Sequence, residues 1–335
     1  MTLNAYSCGK CNLLQLQRFG QEKVLKFYEG PQYIIEDNKL LKDRYKLIIR
    51  KVTKKEFKNK KILEIGGGRN NILKYFQDSK KHINDISIIN KNLKNVKKIP
   101  GIFSKKKFKK KYFDYIIFFH TLEHIEDPKL FLKDVYEILK DCGKIIIEVP
   151  NSSYYLKNNS SHAFFFQHQS IFDKFTLNNL LSNCNFKKYK DINKSQKVIL
   201  TSYQKKFGAE NSSKKNEKIK KINYKKIPLK IRQDTKENKK KLSGINKTKE
   251  SIGFYGVGGT SLAMLQYLPE LKRKINFYYD SNLKKHNKYI PLTSKRVRSF
   301  SQMQIDKPKI LIFNSKLVMN IIKEQYNCKK MILLK

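Results

Sequence analysis

The chain lacks tryptophan, and it is poor in acid: 28 Asp and Glu stand against 73 Lys and Arg, a formal net charge of +45. It also lacks any apolar run near the length of about 18 residues that a membrane-spanning helix needs. The opening Met1-Thr2-Leu3-Asn4 has no basic stretch leading into an apolar one, the mark of a secretory leader. The expectation is a chain without a membrane span, in the cytoplasm. Cysteine is scarce and odd in number (Cys8, Cys11, Cys142, Cys184, Cys328), which excludes a disulfide framework as the basis of the fold. Only Cys8 and Cys11 form a Cys-x-x-Cys pair, and a closed tetrahedral zinc site needs four ligands, so no metal site is expected.

Apolar residues, 39% of the chain, suffice for real cores, and 335 residues suit two or three domains. The excess of lysine has two readings. It attracts an anionic partner, or it is compositional, since lysine, asparagine and isoleucine abound in every segment, as an AT-rich coding sequence produces. An anionic, nucleotide-linked substrate fits either.

The organising stretch is Lys60-Lys61-Ile62-Leu63-Glu64-Ile65-Gly66-Gly67-Gly68. A short apolar run ends in an acid and three glycines, which is how a buried parallel strand turns over a bound nucleotide. The turn is neither Gly-x-Gly-x-x-Gly nor a P-loop. Asp85 follows 21 positions after Glu64, a spacing at which an acid accepts hydrogen bonds from ribose hydroxyls. Next come Phe113-Asp114-Tyr115-Ile116-Ile117-Phe118-Phe119-His120-Thr121-Leu122-Glu123-His124-Ile125-Glu126-Asp127-Pro128, a helix from about Pro128 to Leu139, and the strand Cys142 to Asn151.

Together these resemble the class I S-adenosylmethionine-dependent methyltransferases over roughly residues 55–203. The forms "LEIGGG", "FDYIIFFHTLEHIEDP" and "GKIIIEVPN" carry the match. The resemblance implies an α/β fold with a seven-stranded Rossmann-like sheet. It implies S-adenosyl-L-methionine as cofactor, with Glu64, Gly66, Gly67 and Gly68 at its methionine end and Asp85 at its ribose. His120 and Thr121 then shape the adenine and methyl side through their backbone.

The front piece, residues 1–50, resembles part of the zinc-binding domain of sugar C-methyltransferases acting on nucleotide-linked deoxysugars. "CGKCNLLQL" matches the second of that domain's two cysteine pairs; the first is missing. Phe27-Tyr28-Glu29-Gly30 and Tyr33 follow where that family places a catalytic tyrosine, which makes Tyr28 a candidate. Residues 51–204 are read as the cofactor domain. Residues 205–250 are read as a linker, solvated and with a helix over part of it, because Lys205 to Glu250 hold 17 Lys or Arg against 5 Asp or Glu. Residues 251–335 repeat a strand, a glycine turn (Gly256-Val257-Gly258-Gly259) and an acid (Asp280). They resemble the smaller Rossmann-like C-terminal domain of the same family, where that domain helps to place the nucleotide-sugar. Packing alone is the other reading of this glycine turn.

Methyl transfer needs an in-line nucleophile and usually a base. His168 is the first candidate, since imidazole accepts a proton near neutrality. It lies where the sugar C-methyltransferases carry a Glu-His pair. Here the pair is Gln167-His168, so one of the family's acids is replaced. His162 is a lesser candidate, and His124 is read as structural. The function expected is methylation of a nucleotide-linked sugar at carbon, for a polysaccharide or a secondary product. O- or N-methylation of another small molecule, or a binding protein that keeps the fold without transfer, remain the alternatives. His-Thr-Leu-Glu-His after the fourth strand counts against nucleic acid as partner, because base amino-methyltransferases carry Asn/Asp-Pro-Pro-aromatic there.

Overall fold

The computed structural model describes residues 5–9, 11–16, 45–46, 48, 57–67, 72–76, 78–86, 95–157, 168–192, 196–206, 226–245, 247–290 and 293–334. They fall into two compact units. The first holds β1 (Ala5–Ser7), β2 (Leu14–Leu16), β3 (Lys61–Ile65), β4 (Lys80–Asp85), β5 (Val96–Pro100), β6 (Phe113–Phe119), β7 (Leu139–Pro150), β8 (Ser170–Ile171), β9 (Phe186–Asp191) and β10 (Val198–Lys205). Seven of these make one sheet in the order β5-β4-β3-β6-β7-β10-β9. β10 runs antiparallel to β7 and β9, and the other neighbours are parallel.

The central strands are apolar on both faces because both faces are covered. Leu63, Ile65, Ile116, Phe118, Ile145 and Ile147 enter one core. Ile62, Ile117 and Ile146 enter the other, with Tyr45, Phe57 and Phe76. The edge strands differ: β5 reads Val-Lys-Lys-Ile-Pro and β9 reads Phe-Lys-Lys-Tyr-Lys-Asp. Lysines on an exposed edge oppose pairing with another chain.

Helix α1 (Pro128–Ile138) starts where Asp127 accepts from Leu130 N at 2.9 Å and proline takes the first turn. Its Phe131, Leu132, Val135 and Ile138 are buried at helical spacing. Helix α2 (Ser152–Lys157) follows β7, and helix α3 (Lys174–Ser182) follows β8. A three-stranded sheet, β1-β2-β8, joins two distant parts of the sequence. Leu14 pairs with Ile171 and Gln15 with Ser170, and Leu16 N donates to Gln169 O at 3.1 Å. The front hairpin with its cysteine pair is thereby stitched to the segment that carries His168.

The second unit contains helix α4 (Lys226–Lys241), β11 (Ile252–Tyr255), α5 (Gly259–Gln266), α6 (Pro269–Lys274), β12 (Phe277–Tyr279), β13 (Val297–Arg298), α7 (Phe300–Asp306), β14 (Ile310–Phe313), α8 (Lys316–Gln325) and β15 (Lys330–Leu333). Its five strands are parallel in the order β13-β12-β11-β14-β15. The turn after β11 uses Gly256 at φ +94°. Asp280 clasps this turn, accepting from Val257 N at 2.8 Å, Asn282 N at 2.9 Å and Lys285 Nζ at 2.9 Å. The expected seven-stranded α/β sheet with a smaller second α/β unit is therefore the fold observed. Among the described residues no helix is long and apolar enough to cross a membrane.

Helix α3 opens with a capping box: Thr176 N donates to Asp173 Oδ1 at 2.7 Å, and Asp173 N donates to Thr176 Oγ1 at 3.0 Å. Asp173→Ala removes the cap and is expected to cost about 0.5–2 kcal/mol. Thermal unfolding of the variant at the parent's temperature would show that the box adds nothing.

Candidate active site

Glu64, in β3, is 1% exposed. Its Oε1 accepts from Ile72 N at 3.2 Å, while Oε2 is buried with no hydrogen-bond partner among the described residues. Burial pushes its pKa up to about 8, against the pull of the backbone donors at Ile72 and Leu73; the charge of Asp85 adds to the rise. The turn above it depends on glycine in two ways. Gly66 stands at φ +73°, and a Cβ there would strike Thr121 Oγ1 far inside contact distance. A Cβ on Gly67 would lie 2.6 Å from Glu64 Cδ. A side chain at 66 thus collides within the protein before it meets any ligand. Gly68 lies outside the described residues.

Asp85 ends β4 beside this turn and is partly exposed. The strand end is braced by Asn84, whose Nδ2 donates to Ile99 O at 2.8 Å and Gly101 O at 2.9 Å. Thr121 Oγ1 donates to Ile65 O at 3.2 Å and Phe119 O at 3.1 Å, tying the ends of β3 and β6.

His120 engages through its side chain as well as its backbone. Nε2 lies 2.9 Å from Glu148 Oε1 and Nδ1 lies 3.1 Å from Glu123 Oε1. Burial opposes charge on this imidazole, but the two carboxylates outweigh it and raise its pKa to about 10. Sequence reasoning missed both carboxylates as site residues. Glu148 carried a signal, as the lone charge in Ile145-Ile146-Ile147-Glu148-Val149, but nothing in the sequence named its partner.

His124 and His168 meet, with ring centroids 4.9 Å apart and the planes at 62°. A Glu123 oxygen and one ring nitrogen from each of His124 and His168 lie within 4.8 Å of one another. A metal ion would accept that spacing; Glu123 Oε1 also lies 3.1 Å from His120 Nδ1. The structure thus brings together Glu64, Gly66, Gly67, Thr121 and Asp85 at one set of strand ends, and Glu123, His124 and His168 at another group beside β6. Tyr28, Tyr33, His162 and Gln167 lie outside the described residues. Cys8 and Cys11 pack against the apolar core, and among the described residues no third ligand joins them.

Residues 38–190 match the family model described as "Methyltransferase domain", and residues 197–331 match "C-methyltransferase C-terminal domain". No curated protein matches the chain. Among solved structures, the PH0226 protein of Pyrococcus horikoshii OT3 is 21% identical, with a TM-score of 0.44, over 54% of this chain and 99% of that one. The Burkholderia thailandensis 1,6-didemethyltoxoflavin-N1-methyltransferase, solved with 1,6-didemethyltoxoflavin and S-adenosylhomocysteine, is 12% identical, with a TM-score of 0.43, over 62% and 100%. The N-methyltransferase NodS of Bradyrhizobium japonicum WM9 is 11% identical, with a TM-score of 0.39, over 52% and 100%. Likeness at this level says nothing of this chain's acceptor.

Glu64 gives a pH test. Between its ordinary pKa of 4.5 and about 8, the folded protein holds a proton on Glu64 that the unfolded chain has lost. Stability on this account falls as pH rises through that window. Glu64→Gln removes the titration, so its melting temperature should gain on the parent's between pH 5 and pH 8. A difference between the two proteins that stays constant with pH would show that Glu64 is ionised throughout.

Proposed function

The chain belongs to the S-adenosylmethionine-dependent methyltransferases, and we propose that it methylates a carbon of a sugar carried on a nucleotide, in polysaccharide or secondary-product synthesis. What carries the reading is one observation: a methyltransferase domain runs directly into a C-methyltransferase C-terminal domain in the same chain. The net charge of +45 favours an acceptor bearing phosphates.

The cofactor would be held by Glu64, Gly66, Gly67, Gly68 and Asp85, with His120 and Thr121 along its adenine and methyl side. The strand ends fit such a guest. The buried, partnerless Oε2 of Glu64 wants a donor, and Gly66 and Gly67 leave the turn bare of side chains. Asp85 stands where ribose hydroxyls donate. Bound there, S-adenosylmethionine supplies an electrophilic methyl group on a sulfonium. The protein's own task is to prepare the acceptor. Carbon becomes a nucleophile when the hydrogen next to a keto group leaves as a proton, and His168 is the group that takes it. Tyr28 is the second candidate for this side of the site.

Two measurements test this. Purified protein incubated with methyl-labelled S-adenosylmethionine and a panel of nucleotide-linked keto-sugars should place the label on carbon. His168→Ala should lower that turnover by on the order of 10²–10⁴-fold, the usual share of general base catalysis. Label on oxygen or nitrogen, or full activity of His168→Ala, would defeat the reading. Asp85→Ala should weaken S-adenosylhomocysteine by about 1–3 kcal/mol in calorimetry, the worth of a hydrogen bond to a charged group. Unchanged affinity would remove Asp85 from the pocket.

A further inference from the structure

His120 is held in a manner that cofactor binding does not require. Its backbone is left-handed, φ +48°, uncommon for a residue with a Cβ. Such strain persists only where the surroundings impose it. Here they do so from three sides. His120 N donates to Glu148 O at 2.8 Å, Nε2 faces Glu148 Oε1 at 2.9 Å, and Nδ1 faces Glu123 Oε1 at 3.1 Å.

The charges set the next step. The carboxylates of Glu123 and Glu148 are 2% and 0% exposed. Buried charges persist only when paired, and a protonated His120 between them pairs one. Tyr155 on α2 feels Glu148 but brings no charge, since burial, Tyr154 and Glu148 all push its pKa up. Beyond Glu123 stand His124 and His168. Glu123 Oε1 belongs to His120, and Oε2 is buried with no hydrogen-bond partner among the described residues.

We infer that His120 is a positioning residue: clamped between two buried carboxylates, it fixes Glu123 as an anion whose second oxygen serves the His124–His168 pair and steadies the charge His168 gains on taking a proton. The inference rests on His168 as proton acceptor for the methyl-transfer reading. In that step the C–H bond next to the acceptor's keto group breaks. Its electron pair stays with the substrate as an enolate, and the proton forms a bond to a ring nitrogen of His168. Nothing is oxidised or reduced. The negative charge of Glu123 is in place beforehand, so no reorganisation is needed when the imidazolium appears. The coupling is reciprocal: burial opposes ionisation of Glu123, but the hydrogen bond to His120, then the charges of His124, His120 and His168, bring its pKa down to about 2.

The test is an NMR titration of the imidazoles in the full chain, without cofactor or acceptor. Glu123→Gln removes the anion and keeps the shape. The His168 pKa should fall by about one unit or more, a tenfold change in proton affinity, and Glu123→Asp should restore most of it. The rising limb of turnover against pH should move to lower pH in Glu123→Gln. An identical His168 titration in parent and Glu123→Gln would overturn the inference while leaving keto-sugar methylation intact. A shifted titration without turnover of any keto-sugar would uphold the inference and remove only the acceptor. If Glu123→Gln does not fold, the parent decides: His120 should stay protonated beyond pH 8, and loss of its proton near 6.5 would overturn the clamp. A chelator should leave the parent's titration unchanged; a chelator-sensitive titration would assign the group to a metal ion and refute the inference.

Discussion

Burying a carboxylate costs several kcal/mol unless it is neutralised or paired, and the first unit buries three at the carboxyl edge of one sheet. Glu64, Glu123 and Glu148 are each 1% exposed or less. The chain meets the cost in two ways. Glu64 keeps a proton at neutral pH and takes a backbone donor on one oxygen only. Glu123 and Glu148 share one imidazole. Much of the local backbone follows from these arrangements. Gly66 and Gly67 are bare because Thr121 and Glu64 fill the space a Cβ would need. His120 adopts a left-handed backbone where its ring meets both carboxylates.

The lysines have a different logic. Many sit on edge strands and solvent faces, where they cost nothing and discourage edge pairing. Some are structural. Lys205 is 5% exposed, yet its Nζ donates to Leu139 O at 3.0 Å, lies 3.3 Å from Asp141 and covers the ring of Tyr136 at 4.2 Å. Lys140 reaches Asp114 at 2.9 Å, and Lys105 binds both Asp134 and Glu137. These pairs join β7 to β6 and to β10, and the turn at Lys105 to α1.

Much of the fold was legible because its signals are local. Ile62 to Ile65, Tyr115 to Phe119 and Ile145 to Val149 are apolar runs that only a sheet covered on both faces can bury, and Asp127-Pro128 marks a helix start in two residues. The cofactor-side expectation rested on spacing: Glu64 in β3 and Asp85 at the end of β4 belong to neighbouring parallel strands. The grouping of Glu123 with His124 and His168 was not legible. His120 was read as acting through its backbone, and His124 as a residue beneath the cofactor loop. Their side-chain partners, Glu148 and His168, come from other strand ends and a distant loop. Residues 123 and 168 share no periodic pattern, so only the folded chain places them within reach of each other.

The same reasoning explains the front hairpin. Read from sequence, Cys8 and Cys11 match the second of two cysteine pairs, and two thiolates alone do not close a zinc site. In the fold they are partly buried against the core that contains Leu13, Ile147 and Phe172, and desolvation pushes the Cys11 thiol up, with Cys8 beside it adding to the rise. A protonated, half-buried thiol packs as a small apolar side chain. The hairpin it stabilises supplies β2, and β2 pairs with β8 immediately after His168. On the far side of β8, the capping box at Asp173 fixes the start of α3. The segment that follows His168 is thus pinned by a strand pairing and by a helix cap. Cys8 and Cys11 add apolar contacts between this hairpin and the core behind the sheet.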